Sequence, residues 1–393
     1  MARAIRVVTR TVARAGVKAV RKSVALRTAE VRKIAAKTAP KSALTQRTGA
    51  VSKPMANMLP GLAGSRRYWL YQPPGIHSGQ PVPLLVMLHG CTQSARSFAA
   101  TSGMNAIAAR EGFMVLYPEQ DRAHNLQGCW NWFDTRNGRA QREADAISAA
   151  ISQVCLTHAV DARQIAIAGF SAGAGMAALL ATREPLRFKA VIMHSGIGPG
   201  VAQSSATALS AMRGRRTRGP LLPLQPLAGA EPLPALLVIQ GTADSVVALS
   251  SGRSAAERWA AHAVAHPSAV VEVGSDSTSG TTAGKKAGML QPVRQVTQSA
   301  SPARTVQRGN RRSASVTDYC VVGKAGARAG ARAGVRAGAR NGARTAATLC
   351  EIEGLGHGWS GGAPGQPYSD AKGPDASRMI WAFIAKQFTS VVA

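Results

Sequence analysis

Ser171 stands in Gly169-Phe170-Ser171-Ala172-Gly173, after the apolar, partly β-branched run Ile165-Ala166-Ile167-Ala168 and before a small-residue, helix-forming run that reaches Thr182. That context predicts a buried strand, a tight turn and a helix, with the serine at the turn. Side chains at Gly169 or Gly173 would clash across such a turn. A hydroxyl lifted above the sheet there is open to a base. The following helix aims its N-terminus at the same point, which favours a developing negative charge. A serine hydroxyl is a weak nucleophile; it needs a base to take its proton, and the base needs an orienting acid. Asp244, closing Gly241-Thr242-Ala243-Asp244, and His357, in Gly356-His357-Gly358, each follow a strand-like run and supply those types. Asp121, at the end of an earlier strand, is the second candidate acid.

Acyl transfer also needs two N–H donors for the oxyanion. One is expected from Ala172, directly after the nucleophile. The other is expected from the His89-Gly90-Cys91 turn, at Cys91. His89 is expected to brace that turn, and His194 and His262 to be structural. The loop Cys129-Trp130-Asn131-Trp132-Phe133 concentrates aromatics that gain nothing from exposure. They either pack down as a plug or line a substrate cleft, and Trp130, Trp132 and Trp359 are the candidate substrate-binding side chains.

The elements that must position these groups alternate along the chain. Strands are expected over 66–73, 83–88, 113–118, the run into Ser171, 188–196 and 234–241, with helices over 98–110, 142–157, 251–265 and 375–388. Strand and helix in this rhythm predict an α/β chain with a mostly parallel, doubly wound sheet flanked by helices. A late hairpin is expected between Asp318–Val322 and Ala347–Ile352, extended by a basic Ala-Gly-Ala-Arg repeat from Ala325 to Arg344. Serine, acid and histidine in that chain order is the order of the α/β-hydrolase fold.

The 393 residues carry 48 Lys+Arg against 19 Asp+Glu, a net charge of +29. Such an excess predicts attraction to an anionic surface, polyphosphate or nucleic acid. The charge lies in attachments: residues 1–57, expected to be a disordered or amphipathic basic arm, and the repeat. The catalytic domain is expected over 58–393, with flexible insertions at about 197–232, 266–315 and 323–346. No run of ~18 apolar residues predicts a membrane helix. Five cysteines do not make a disulfide framework. Two pairs are conceivable, Cys91 with Cys129 and Cys320 with Cys350; so is a set of free thiols that includes Cys155. No Cys or His spacing points to a metal, and no cofactor is expected.

Five segments taken together resemble the polyhydroxybutyrate (PHB) depolymerase family of esterases. They are His89-Gly90-Cys91-Thr92-Gln93, Cys129-Trp130-Asn131-Trp132-Phe133, Gly169-Phe170-Ser171-Ala172-Gly173, Gly241-Thr242-Ala243-Asp244 and Gly356-His357-Gly358-Trp359-Ser360-Gly361-Gly362. The resemblance implies an α/β-hydrolase fold and cleavage of polyesters, or of feruloyl and acetyl esters on plant polysaccharides. It also implies Ser171, Asp244 and His357 as a triad and Cys91 in the oxyanion loop. Members are often exported, whereas residues 1–57 hold no uninterrupted apolar stretch with a cleavage site. Extracellular and granule-associated cytoplasmic locations both stand.

Overall fold

The computed structural model describes residues 55, 57–63, 66–75, 79–215, 232–265, 296–323 and 343–389. Apolar, β-branched runs build the centre of one large sheet: β3 (Val82–Leu88), β4 (Met114–Pro118), β5 (Val160–Phe170), β6 (Ala190–His194) and β7 (Ala235–Gly241). With β11 (Ala343–Ile352) they pair in parallel in the order β4-β3-β5-β6-β7-β11. Antiparallel strands extend both sides: β1 (Met58–Ala63) and β2 (Arg66–Tyr71) beyond β4, and β10 (Ala314–Gly323) beyond β11. Beyond β10 lie β8 (Val296–Ala300) and β9 (Arg304–Val306).

Parallel strands must be covered on both faces, and alternate residues here feed two cores. Leu84, Val86, Val191, Met193, Leu236 and Val238 point to one face. It is closed by α3 (Arg139–Thr157), α4 (Ala172–Arg183) and α6 (Leu249–Ala265), through Ile147, Leu180 and Trp259. Leu85, Met87, Ile192, Leu237 and Ile239 point to the other. It is closed by α1 (Ala95–Ser102), α2 (Met104–Glu111) and α7 (Ala376–Thr389), through Phe98, Ile107 and Ile380. This is the α/β-hydrolase fold that the alternation predicts. No helix among the described residues is long and apolar enough to cross a membrane.

The structure corrects four expectations about the elements. The helix expected over 98–110 is two helices, because Gly103 takes φ +63° and its N–H caps the first at the Ala99 carbonyl. Part of the stretch expected as a flexible insertion from about 197 to 232 is α5 (Ser205–Met212), started by reciprocal capping between Ser204 and Thr207. Residues 296–315, expected to be flexible, supply β8, β9 and the start of β10; edge strands facing solvent need no apolar run, so their polar composition misleads. Strand β1 was not expected at all. Pro60 and Gly61 read as breakers, and a sheet edge tolerates them.

The late hairpin is present and longer than expected, pairing Ala314 with Ile352 at one end and Val322 with Ala343 at the other. Residues 1–54, 216–231, 266–295 and 324–342, which include most of the basic arm and of the repeat, lie outside the described residues.

Candidate active site

Strand β5 ends at Phe170 and α4 begins at Ala172, so one residue makes the whole turn. Ser171 adopts φ +55°, ψ −119°, a strained backbone for a residue with a Cβ. Its N–H donates to the His194 carbonyl at 2.9 Å, and its own carbonyl accepts from the Ala174 N–H at 3.0 Å. Room for this turn depends on two glycines. A Cβ on Gly169 would run into the Gly173 carbonyl, and one on Gly173 would run into the carbonyls of Leu88 and His89.

Three strand ends converge here. Ser171 follows β5, Asp244 follows β7 and His357 follows β11. The Ser171 Oγ lies 3.0 Å from His357 Nε2, and His357 Nδ1 lies 2.9 Å from Asp244 Oδ2. A carboxylate partner can only accept, which places the ring proton on Nδ1 and leaves Nε2 to accept from the serine hydroxyl. Asp244 is held from every side. Its Oδ1 accepts from the backbone N–H groups of Val246 at 2.9 Å and Val247 at 2.8 Å, and its Oδ2 also accepts from Gln240 Nε2 at 3.2 Å. Burial alone would raise its pKa. The bonds from His357, Val247 and Val246 outweigh that and hold the carboxyl below the ordinary value, so it stays ionised.

The turn from Gly90 to Gln93 flanks the nucleophile. Gln93 Oε1 accepts from the Gly90 N–H at 2.9 Å, the Thr92 N–H donates to the Gln127 carbonyl at 2.7 Å, and the Gln93 N–H returns to the Gly90 carbonyl at 3.3 Å. Among the described residues the N–H groups of Cys91 and Ala172 take no such partner. Cys91 is bonded to Cys129, which ties this turn to the aromatic loop. The second conceivable pair does not form: on adjacent strands, Cys320 faces Thr345 and Cys350 faces Val316, and both thiols are free, as is Cys155.

His89 is buried and braces its turn. Nδ1 donates to the Gly90 carbonyl at 2.9 Å and Nε2 accepts from the Gln120 N–H at 3.1 Å. Burial pushes its pKa down to about 4. His194 is equally buried, stacks on Trp359 at 4.9 Å between ring centroids, and accepts the Ser360 N–H on Nε2 at 3.1 Å. Burial pushes it down to about 3. His262 lies on α6. Asp121 turns its carboxylate on its own loop, accepting the Ala123 N–H at 2.9 Å, and has no bond to His357.

The tryptophans correct a second reading of the sequence. Trp130 and Trp359 are fully buried and Trp132 is 7 % exposed. Trp130 packs under the Arg66 guanidinium and beside His89, Trp132 lies on Gly175, and Trp359 donates its Nε1–H to Ser377 Oγ at 3.1 Å. The aromatic loop is thus a plug beneath the site, and these rings are packing rather than open cleft walls. In the sequence Gln240 shows only as a lone polar side chain at the end of an apolar strand, and Tyr368 carries no motif.

Comparison with known proteins gives the same picture at the level of family. Residues 66–287 match the family described as Esterase PHB depolymerase, a range that holds Ser171 and Asp244 and stops short of His357. The chain is 36% identical over 135 residues to poly(3-hydroxyalkanoate) depolymerase C of Paucimonas lemoignei, covering 34% of this chain and 32% of that protein. It is 24% identical over 208 residues to a probable acetylxylan esterase A of Aspergillus clavatus, covering 49% and 65%. It is 28% identical over 142 residues to feruloyl esterase B of Thermothelomyces thermophilus, covering 36% and 47%. The matches therefore span about a third to two thirds of these curated relatives. Among solved structures, an acetyl xylan esterase from Aspergillus awamori aligns with a TM-score of 0.48 at 15% identity, covering 81% of this chain and 94% of that one.

Proposed function

The chain belongs to the Esterase PHB depolymerase family, and from that premise we propose that it is a serine esterase acting on poly- or oligo-hydroxyalkanoates of the 3-hydroxybutyrate type. The observation that carries this reading is the hydrogen-bonded line from Ser171 Oγ through His357 to Asp244. His357 Nε2 takes the serine proton as Oγ attacks the ester carbonyl, and Asp244 stabilises the imidazolium that forms. The N–H groups of Cys91 and Ala172, with the N-terminus of α4 behind them, receive the charge on the carbonyl oxygen. His357 then returns the proton to the leaving alcohol, which leaves an acyl group on Ser171. Water, activated by the same imidazole, frees the acid.

The substrate class rests on the resemblance to the Paucimonas lemoignei protein. A carbohydrate esterase of acetyl or feruloyl type is the second reading, supported by the acetylxylan and feruloyl relatives. The experiment is to incubate the purified full chain with a fluorophosphonate probe, 3-hydroxybutyrate oligomers and acetylated xylan. Labelling at Ser171 with release of hydroxybutyrate supports the first reading. Labelling with acetate release alone supports the second. An unlabelled Ser171 with no product from either sinks both.

A reading of another class is binding of a polyanion or granule surface through the basic arm, motivated by the net charge of +29. It predicts salt-sensitive binding to polyphosphate that removal of residues 1–57 weakens.

A further inference from the structure

Tyr368 is a large aromatic left 40 % exposed where the buried tryptophans are not. It sits at φ +55°, a strained conformation for a bulky residue, and its hydroxyl meets Thr92 Oγ1 at 2.8 Å, with Thr92 itself at φ +64°. Two strained residues from loops 276 positions apart thus hold one another across the site. Three neighbours of Tyr368 are each next in sequence to a residue of the site. Thr92 follows Cys91. Phe170, whose ring centroid is 6.3 Å away, precedes Ser171 and packs at 5.0 Å on His357. Gly358, against which the Tyr368 backbone lies, follows His357. The Tyr368 carbonyl also accepts the Trp359 N–H at 2.7 Å, which fixes this loop to the one that carries the base.

From this juxtaposition, and resting on the esterase reading above, we infer that Tyr368 is the specificity-determining side chain of the site. Its ring face is the apolar surface on which the substrate chain beyond the scissile ester lies, and Thr92 fixes that ring in place. A partly exposed ring held by one hydrogen bond beside the nucleophile offers contact area that grows with chain length, and so discriminates among esters by binding.

The test is kcat and KM of the full chain on 4-nitrophenyl esters from acetate to octanoate. Tyr368→Ala is expected to lower the octanoate-to-acetate ratio of kcat/KM at least tenfold, through KM. Tyr368→Asn, which tolerates the left-handed backbone, is expected to do the same. Tyr368→Phe and Thr92→Val keep the ring and lose the bond, and are expected to lower that ratio by a smaller factor, two- to fourfold. An unchanged ratio in both Tyr368→Ala and Tyr368→Asn, whether their rates fall together or not at all, overturns the assignment and leaves the residue a loop brace. The acetate rate of the unmodified chain against Ser171→Ala reads the esterase assignment separately, so the two ideas fail in different columns.

Discussion

Gln240 and His357 donate to the same oxygen of Asp244, Oδ2, at 3.2 Å and 2.9 Å. Gln240 is fully buried and also donates to the Val247 carbonyl at 2.9 Å, so it locks the loop that carries the acid to the strand beneath it. Loss of one bond to a buried charge is worth roughly a factor of ten or more. Gln240→Leu is therefore expected to lower kcat about tenfold with KM nearly unchanged, while Asp244→Ala is expected to lower it by about 10⁴. Steady-state kinetics on one short ester checks both. Equal losses in the two variants would contradict a purely positioning role for Gln240.

The disulfide between Cys91 and Cys129 closes 38 positions of chain beside the nucleophile. By loop entropy it stabilises the fold by about 4 kcal/mol, and it ties down the turn that carries the Cys91 N–H, the proposed oxyanion donor. Cys129→Ser is expected to unfold at a lower denaturant midpoint and to lose about tenfold or more in kcat, the smaller part of what removal of an oxyanion donor costs. Denaturant titration and kinetics on the same sample separate the two effects. Full activity in the reduced, folded protein would contradict a role for that turn in the oxyanion site.

Acid should destabilise the fold through two buried histidines. Burial holds His89 at about 4 and His194 at about 3, against an ordinary value of 6.5. The unfolded chain binds protons that the folded chain refuses, so this stability is complete above about 6.5. It is lost as pH falls toward those lower values, at roughly 1.4 kcal/mol per pH unit for each ring. Calorimetry is expected to show Tm dropping steadily from pH 6.5 to pH 4.5. His194→Gln keeps an acceptor for the Ser360 N–H, cannot titrate, and is expected to show a shallower drop. The same slope in both proteins would contradict this assignment.

Gly173→Ala tests the turn itself. The added methyl would meet the carbonyls of Leu88 and His89, which are backbone and cannot swing aside. The variant is expected to lose several degrees in Tm and most of its ester hydrolysis, measured by calorimetry and by acetate release. Unchanged values would mean that the turn is looser than the geometry requires.

Much of this site was legible because its chemistry is local in sequence. Gly169 to Gly173 states the turn through steric need, and the apolar runs before Ser171, Asp244 and His357 announce strand ends. The central sheet was legible for the same reason, since strands buried on both faces must be apolar throughout. What lay outside reach depends on partners distant in sequence. Nothing near Trp130 says whether a loop aromatic is buried under Arg66 or open to solvent. Nothing near Gln240 says that its amide meets a carboxylate in the next turn. The polar strands β8 and β9 exist because β10 offers an edge, and Tyr368 is held where it is because Thr92 stands opposite it.

The most direct measurement of the central claim is hydrolysis of short aryl esters, C2 to C8, by the unmodified chain and by Ser171→Ala. Turnover by the first is expected, with a loss of about 10³ or more in the second and an unchanged circular dichroism spectrum. Equal rates in the two folded proteins would contradict Ser171 as the nucleophile and, with it, the reading of Asp244 and His357 as its partners.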